Sequence, residues 1–592
     1  MDLTSFYNEE ISHHRAQHAA LSRKRNFLTA AKIGTFAGIV YGITFYFSTA
    51  TLTASLITIP MVILFLALTH LDDRVVKKLD LLQALADCCQ MEVEYLSGNW
   101  SGLTKGDEYN HPEHPYANDL DIFGESSLFQ AVNRTVTKQG EQLLSQWLLT
   151  PCEEKAEILR RQEATKELKD DVAWMHQFRA TGTLHDTTSG NKEKLSAWEK
   201  EETPFEKSWQ RIALFAMNIC TIGCWCVAFF GVVPYSLALL VSLFQLIILS
   251  ACLREVNRIH AHLDQFVKAI GNYFFLIRLI EQKLFTSEQL QSIRTSLFDG
   301  HDSLAAFSQL NKILGGFDQR SNILVEVILN GLYLRDIHQV HRLGLWKKEH
   351  AQYIQTWMDA VSEVDALISM TNFRVNHPDY CTPVIGTSIL LEATEMGHPL
   401  IQGQNVKNDF TVQSEHNLFI VTGANMAGKS TFLRTTGVNL VLALSGNVVC
   451  STHFECQLMD LFTSMRTTDN LAKGTSYFHA ELLRLKDLTI RASQGKTLFI
   501  ILDEMLKGTN SQDKQNGSFK FLKKMLSLPV SGLVATHDLV LGNLATEDPE
   551  HFFTVCFEIS HTVNDIHYDY KLHEGVSKTM NASILMQKLG LI

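Results

Sequence analysis

Two stretches of this 592-residue chain contain no Asp, Glu, Lys or Arg: Ile33 to Leu71 and Ile212 to Leu253. A helix needs about 20 apolar residues to cross a bilayer, so each stretch has room for two crossings and a tight turn. The turns are expected near Ser48–Thr51 and Gly231–Pro234. Arg15, Arg23, Lys24, Arg25 and Lys32 precede the first stretch, and Arg74, Lys77 and Lys78 follow it. Lys207 and Arg211 precede the second, and Arg254 and Arg258 follow it, whereas the expected turns carry no base. By the positive-inside rule the large segments then stay cytoplasmic at an inner membrane, and each hairpin dips out and back. Two buried helical hairpins of a soluble protein are the other reading. The first stretch does not read as a cleaved signal, since it is too long and a second span follows it.

The rest of the chain divides by texture. Its length suggests three or four folding units. Residues 1–72 read as a basic arm plus a hairpin (about 30–48 and 51–71), and 73–210 as the first part of a helical core. Residues 211–253 form the second hairpin and 254–379 the second part of the core. In that part Trp357, Val361, Val364, Leu367 and Ile368 fall on one helical face. From 380 to 592, β-rich runs such as Asn417–Thr422, Thr497–Leu502 and Gly532–Ala535 alternate with helical stretches, the pattern of an α/β domain with a central sheet. A net charge of −11 argues against a strong general nucleic-acid footprint and leaves a local basic groove open. The eleven cysteines show no metal-ligand spacing, so reduced thiols and no structural metal are expected.

Chemistry concentrates in that last segment. Leu418–Thr422 reads as a buried strand running into Gly423, Ala424, Asn425, Met426, Ala427, Gly428, Lys429, Ser430 and Thr431, with the helical Phe432–Leu444 after it. This is G-x-x-x-x-G-K-[ST] in strand–loop–helix context. The glycines let backbone N–H groups turn onto phosphates, and the helix N-terminus adds its dipole. Lys429 would reach the β- and γ-phosphates of ATP, and Ser430 would ligate Mg²⁺. The apolar run Leu498–Leu502 ends in Asp503, placed for the Mg²⁺ shell, and Glu504, placed to activate the attacking water. A third run, Gly532–Thr536, ends at His537, within reach of the γ-phosphate.

In their wording these strand ends resemble the MutS family of mismatch-repair ATPases. Thr422 to Thr431 is similar to that family's T-G-P-N-M-[GA]-G-K-S-T, with Ala424 in place of Pro. Asp469 to Glu481 resembles its signature loop, Leu502 to Ser511 its Walker B and D-loop, and Val534 to His537 its switch histidine. Asp119 to Gly140, Leu143 to Pro151 and Arg161-Gln162 look like the start of its core (lever) domain. Gly397-His398-Pro399 resembles the G-R-H-P at the ATPase entrance, and Ser577-Lys578 the S-K pair near its end. The resemblance implies an α/β ABC-type P-loop ATPase domain at the C-terminus, preceded by an all-α core, with the two hairpins added as transmembrane elements. It implies that Asn425 positions the lytic water and that Ser476 reaches the γ-phosphate of the opposite subunit, hence a homodimer with composite sites.

The departures are as informative. The mismatch-reading domain with its Phe-x-Glu wedge has no counterpart; Phe123–Glu125 falls inside the core match and is coincidence. The aromatic that stacks on adenine in relatives aligns with Val406. The expected function is a membrane-anchored MutS-like ATPase coupled to DNA binding, in repair or recombination, without true mismatch reading. The alternatives are a membrane-tethered ATP-driven scaffold that binds no DNA, or an ABC-type transporter. Against the transporter stand spans with no charged residue to line a polar path. Gly34, Gly38 and Gly42 form a G-x-x-x-G-x-x-x-G stripe, expected to pair the first membrane helices of two chains.

Overall fold

A computed structural model describes residues 2–49, 52–185, 198, 208–262, 268–298, 302–318, 323–401, 403–466, 477–507, 509–562 and 565–577. The first uncharged stretch lies in two long antiparallel helices, α1 (Leu3–Thr49) and α2 (Leu52–Leu96). At 1.5 Å per residue α1 is about 70 Å long, roughly twice the hydrocarbon thickness of a bilayer. α2 passes without a break through residue 72 and continues to Leu96. The apolar section of hairpin one is therefore the far end of a rigid stalk. The near end packs on the core, where Tyr7 and Cys89 are fully buried.

α3 (Lys138–Leu149), α4 (Lys155–Lys169) and α5 (Val172–Leu184) begin the helical core. The second hairpin, α6 (Ser208–Phe229) and α7 (Tyr235–His262), turns at Gly231, whose φ of 78° suits a residue without a Cβ. Beyond it come α8 (Lys268–Gln282), α9 (Glu288–Ser296), α10 (Ser303–Asp318) and α11 (Ile323–Tyr333). The 42-residue α12 (Arg335–Asn376) follows, touching α7 and also packing on α3 and α4. The helical face expected at Trp357, Val361, Val364, Leu367 and Ile368 is buried along α12.

By length and composition, Leu3–Phe45, Ile212–Phe229 and Tyr235–Cys252 are each able to cross a membrane, among the described residues. The side chains at 51–57, in the expected fourth span, lie outside the described residues. Several of the larger polar side chains of hairpin two turn inward. Asn218 is hydrogen-bonded to His338 of α12 at 2.8 Å, the Gln245 amide donates to the Met217 carbonyl, and the Trp225 indole donates to Ser242. Large apolar side chains point outward, with Phe47 83% and Phe230 79% exposed. Apolar outside and paired polar inside is the arrangement suited to hydrocarbon surroundings.

The glycine stripe departs from expectation. A Cβ on Gly42 would come within 2.3 Å of Thr58 Oγ1, and one on Gly38 within 3.0 Å of Met61 Sδ, both on α2. Only Gly34 faces open space. Two of the three glycines thus serve close packing inside one hairpin rather than between chains. Gly42→Ile should force α1 and α2 apart and lower the melting temperature in detergent, an overpacking penalty of about 1–3 kcal/mol. Gly34→Ile should leave it unchanged. Equal melting of both variants would return the stripe to an intermolecular role.

The C-terminal segment carries two sheets. The first contains β1 (Val384–Ile385), β2 (Leu391–Met396), β3 (Asn408–Val412) and β5 (His453–Cys456) in the order β1-β5-β2-β3. The second contains β4 (Leu418–Gly423), β6 (Asp460–Ser464), β7 (Leu498–Asp503), β8 (Val530–Ala535), β9 (Phe552–Thr562) and β10 (Asp565–Glu574). Its order is β10-β9-β4-β8-β7-β6, parallel apart from β10. β7 is apolar from Leu498 to Leu502 and β8 is buried along its whole length, because both faces of the sheet are covered. One face adjoins α13 (Lys429–Ser445) and the helical core in a single continuous apolar cluster, and the other is covered by α14 (Tyr477–Ala492) and α15 (Ser511–Met525).

Candidate functional site

Strands β4, β7 and β8 are adjacent and parallel, so their C-terminal ends open on one edge of the sheet. In open α/β sheets that edge is where ligands bind. The loop leaving β4 is shaped by glycine. Gly423 has φ 147°, and a Cβ there would lie 2.7 Å from the Phe557 carbonyl; Gly428 has φ 110° at the start of α13. The Lys429 ammonium folds back over the loop and donates to the carbonyls of Gly423 at 2.7 Å and Ala424 at 2.8 Å. Burial lowers its pKa, opposed by the charges of Asp503 and Glu504.

The Ser430 hydroxyl donates to Asp503 Oδ2 at 2.7 Å. Glu504 stands just beyond β7 at φ 52°, its N–H donating to the Ala535 carbonyl of β8. That bond aims its carboxylate at His537 Nε2, 2.8 Å away, with Lys507 Nζ at 3.5 Å. The hydrogen bond from His537 pulls the Glu504 pKa down to about 2, against partial burial and with help from Lys507. Asn425, Met426, Gly428, Lys429, Ser430 and Thr431 line a cavity of about 540 Å³ with Asp503, Glu504 and His537. A volume of this size is typical of small-molecule sites. Ser430 and Asp503 offer two hard oxygen donors side by side, which fits Mg²⁺. Ser476 and most of the signature loop lie outside the described residues.

Several contributors escaped the sequence reading. Tyr570 reaches the cavity from β10, held at φ 54° where the pairing with β9 is irregular. Its ring lies over Gly428, where a Cβ would come within 3.2 Å of it. Val406 also lines the cavity, so the aromatic surface comes from a different element than the aligned position suggests. Glu481 of α14 accepts the backbone N–H groups of Leu506 and Lys507, tying the helix after the signature loop to the turn after Glu504. Asp119 accepts from Thr463 Oγ1 and from the N–H groups of Met465 and Arg466, while Asp121 receives the Arg466 guanidinium and an ion pair from Arg434 at 3.4 Å. The core start thereby grips the segment leading into the signature loop. The sequence signal was there for Asp119 and Glu481, since both lie in the motifs; their partners are distant in sequence.

Comparison with known proteins agrees with this geometry. The sequence profile described as MutS domain V matches residues 419–588, and that of MutS domain III matches residues 115–371. A DNA mismatch repair protein MutS from Chlorobium phaeobacteroides is 24% identical over 71% of this chain and 52% of its own length. Another from Cytophaga hutchinsonii is 32% identical over 32% of this chain and 23% of its own. One from Ehrlichia ruminantium is 27% identical over 39% and 28%. The chain thus spans about half, or less, of the length of the curated relatives it matches. With both profiles matched in order, on the helical core and on the sheet that carries the cavity, the chain belongs to the MutS family.

Proposed function

We propose that this protein is a membrane-anchored ATPase that hydrolyses ATP at sites shared by two copies and couples turnover to DNA binding without reading mismatches. One observation carries the enzymatic part: Lys429, Ser430, Asp503, Glu504 and His537 meet in one cavity although they come from three strand ends. Lys429 exchanges its carbonyl partners for the β- and γ-phosphates, and Tyr570 offers a ring face to the base. Glu504, a carboxylate at neutral pH, accepts the proton of the attacking water, held in orientation by His537. Asn425 positions that water, and Ser476 of a second copy completes the site. Ser430 and Asp503 would hold Mg²⁺, which when bound neutralises phosphate charge.

The membrane anchor is supported by the two uncharged hairpins and by the inward-turned polar groups of the second. In the same reading 1–72 and 211–253 carry the spans, and 73–210, 254–379 and 380–592 stay on the cytoplasmic side. The net charge of −11 favours a second reading, an ATP-driven membrane scaffold that binds no DNA.

Filter binding by the detergent-solubilised protein separates them, using homoduplex, mismatched, branched and single-stranded DNA with and without ATP. DNA coupling requires binding that weakens with salt on at least one of these. No binding at low salt on any of them would leave the scaffold. Homoduplex and single-mismatch affinities are expected to agree within about threefold, because reading a mismatch requires a kink and an inserted aromatic wedge. A preference of about tenfold at fixed salt would contradict this.

A further inference from the structure

Away from the nucleotide cavity, the outer face of the four-stranded sheet gathers three metal-ligating side chains. Glu392 of β2 lies directly opposite Glu455 of β5, and His453 stands two residues before Glu455 on the same strand. Alternation along a strand puts all three on one face. One ligand atom from each, a carboxylate oxygen from either glutamate and a ring nitrogen from the histidine, lies within 4.8 Å of the other two. Both carboxylates are partly withdrawn from solvent, and the imidazole is exposed.

Two features set this group apart from a surface acidic patch. Like charges directly opposite each other across two strands destabilise a sheet unless something stands between them. Among the described residues neither carboxylate has an ion-pair or hydrogen-bond partner. The second feature is Gly386, just past β1, where an added Cβ would come within 1.9 Å of Glu455 Oε1. The missing side chain leaves room beside β1 for one Glu455 oxygen, while the carboxylate keeps a ligand atom within 4.8 Å of those of Glu392 and His453. One imidazole with two carboxylates is a donor set for a first-row divalent transition metal, and a poor one for Mg²⁺, which takes oxygen ligands and water.

We propose that Glu392, His453 and Glu455 bind a divalent transition-metal ion of the Zn²⁺ class, with solvent completing its coordination. The ion neutralises the facing carboxylates and joins β2 to β5. β2 ends at Met396, which lines the nucleotide cavity, so the ion steadies one wall of that cavity from outside it. Cysteine spacing gave no hint of such a site, because its ligands come from two strands about 60 residues apart and include no thiol.

The test uses the full chain in detergent, stripped with chelator and free of nucleotide. Zn²⁺ retained after gel filtration and the melting temperature with and without Zn²⁺ are measured for wild type, His453→Ala, Glu455→Gln and Glu392→Gln. Wild type should retain about one equivalent more than each variant and melt higher with Zn²⁺, whereas the variants should show no such rise. Because the protein has many other histidines and thiols, the difference from the variants is the quantity read, not the total. Retention of ATP binding by the variants confirms that they are folded. Equal Zn²⁺ retention and equal melting shifts in wild type and in folded His453→Ala would overturn the site, as would a rise produced equally by Mg²⁺.

Discussion

Glu504→Ala is expected to reduce ATP turnover by about 100- to 10,000-fold, the usual contribution of a positioned general base, while leaving ATP binding intact. The side chain pairs with His537 and Lys507, which lie beyond the ends of β8 and β7 and outside the loop that cradles phosphate. Its contribution is confined to the transition state, so the variant should trap ATP. Lys429→Ala should behave in the opposite way and lose nucleotide binding. Its ammonium lies inside the loop against the Gly423 and Ala424 carbonyls, beside the place the phosphates would take. Equilibrium binding of labelled ATP and single-turnover hydrolysis separate the two effects. Wild-type turnover in Glu504→Ala would overturn the assignment.

The pH dependence follows with its sign. His537 lowers the Glu504 pKa to about 2 in the folded protein, from an ordinary value of 4.5. The stabilisation from that contact is therefore complete above the unfolded value and fades as pH falls toward the folded one. Any loss of activity between pH 5 and 7 must come from a group other than Glu504.

The second large effect is expected far from the cavity. Glu92 of the stalk helix α2 is fully buried between two guanidiniums, Arg134 Nε at 2.9 Å and Arg179 Nη1 at 2.7 Å. The Asn376 amide, at the end of α12, donates to its other oxygen at 2.8 Å, and Tyr7 of α1 donates to Asn376. Burial alone would raise the Glu92 pKa, but the two arginines outweigh it and hold the carboxyl far below the usual range. Glu92→Ala leaves two buried cations without their anion, a loss of about 3–5 kcal/mol. Glu153→Ala, which breaks an exposed pair with Lys496, should lose less than about 1 kcal/mol. Chemical denaturation in detergent measures both. If Glu92→Ala were as mild as Glu153→Ala, the junction between stalk, core and α12 would not depend on this charge cluster.

Local chemistry made much of this protein legible in one dimension. A long charge-free run favours leaving water whatever surrounds it, so the helices of both hairpins and the turn at Gly231 could be read from spacing. The phosphate loop is equally local: β4, Gly423, Gly428 and Lys429 are contiguous, and their geometry follows from strand, glycine and helix N-terminus. Asp503, Glu504 and His537 could be singled out, and they do line one cavity, because an apolar strand ending in an acid or a histidine is itself a short pattern. Whatever depends on the partner of a side chain was decided only by tertiary structure. The glycine stripe is the same pattern whether its groove receives Thr58 and Met61 of the same hairpin or a second chain. The ring over Gly428 is Tyr570, more than 140 residues along the chain, carried there by the return of β10 beside β9. Glu92 reads as one more polar residue on a long helix until α5 and α12 close around it. Spacing along the chain records which side chains share a face; burial and pairing depend on which other face comes to cover them.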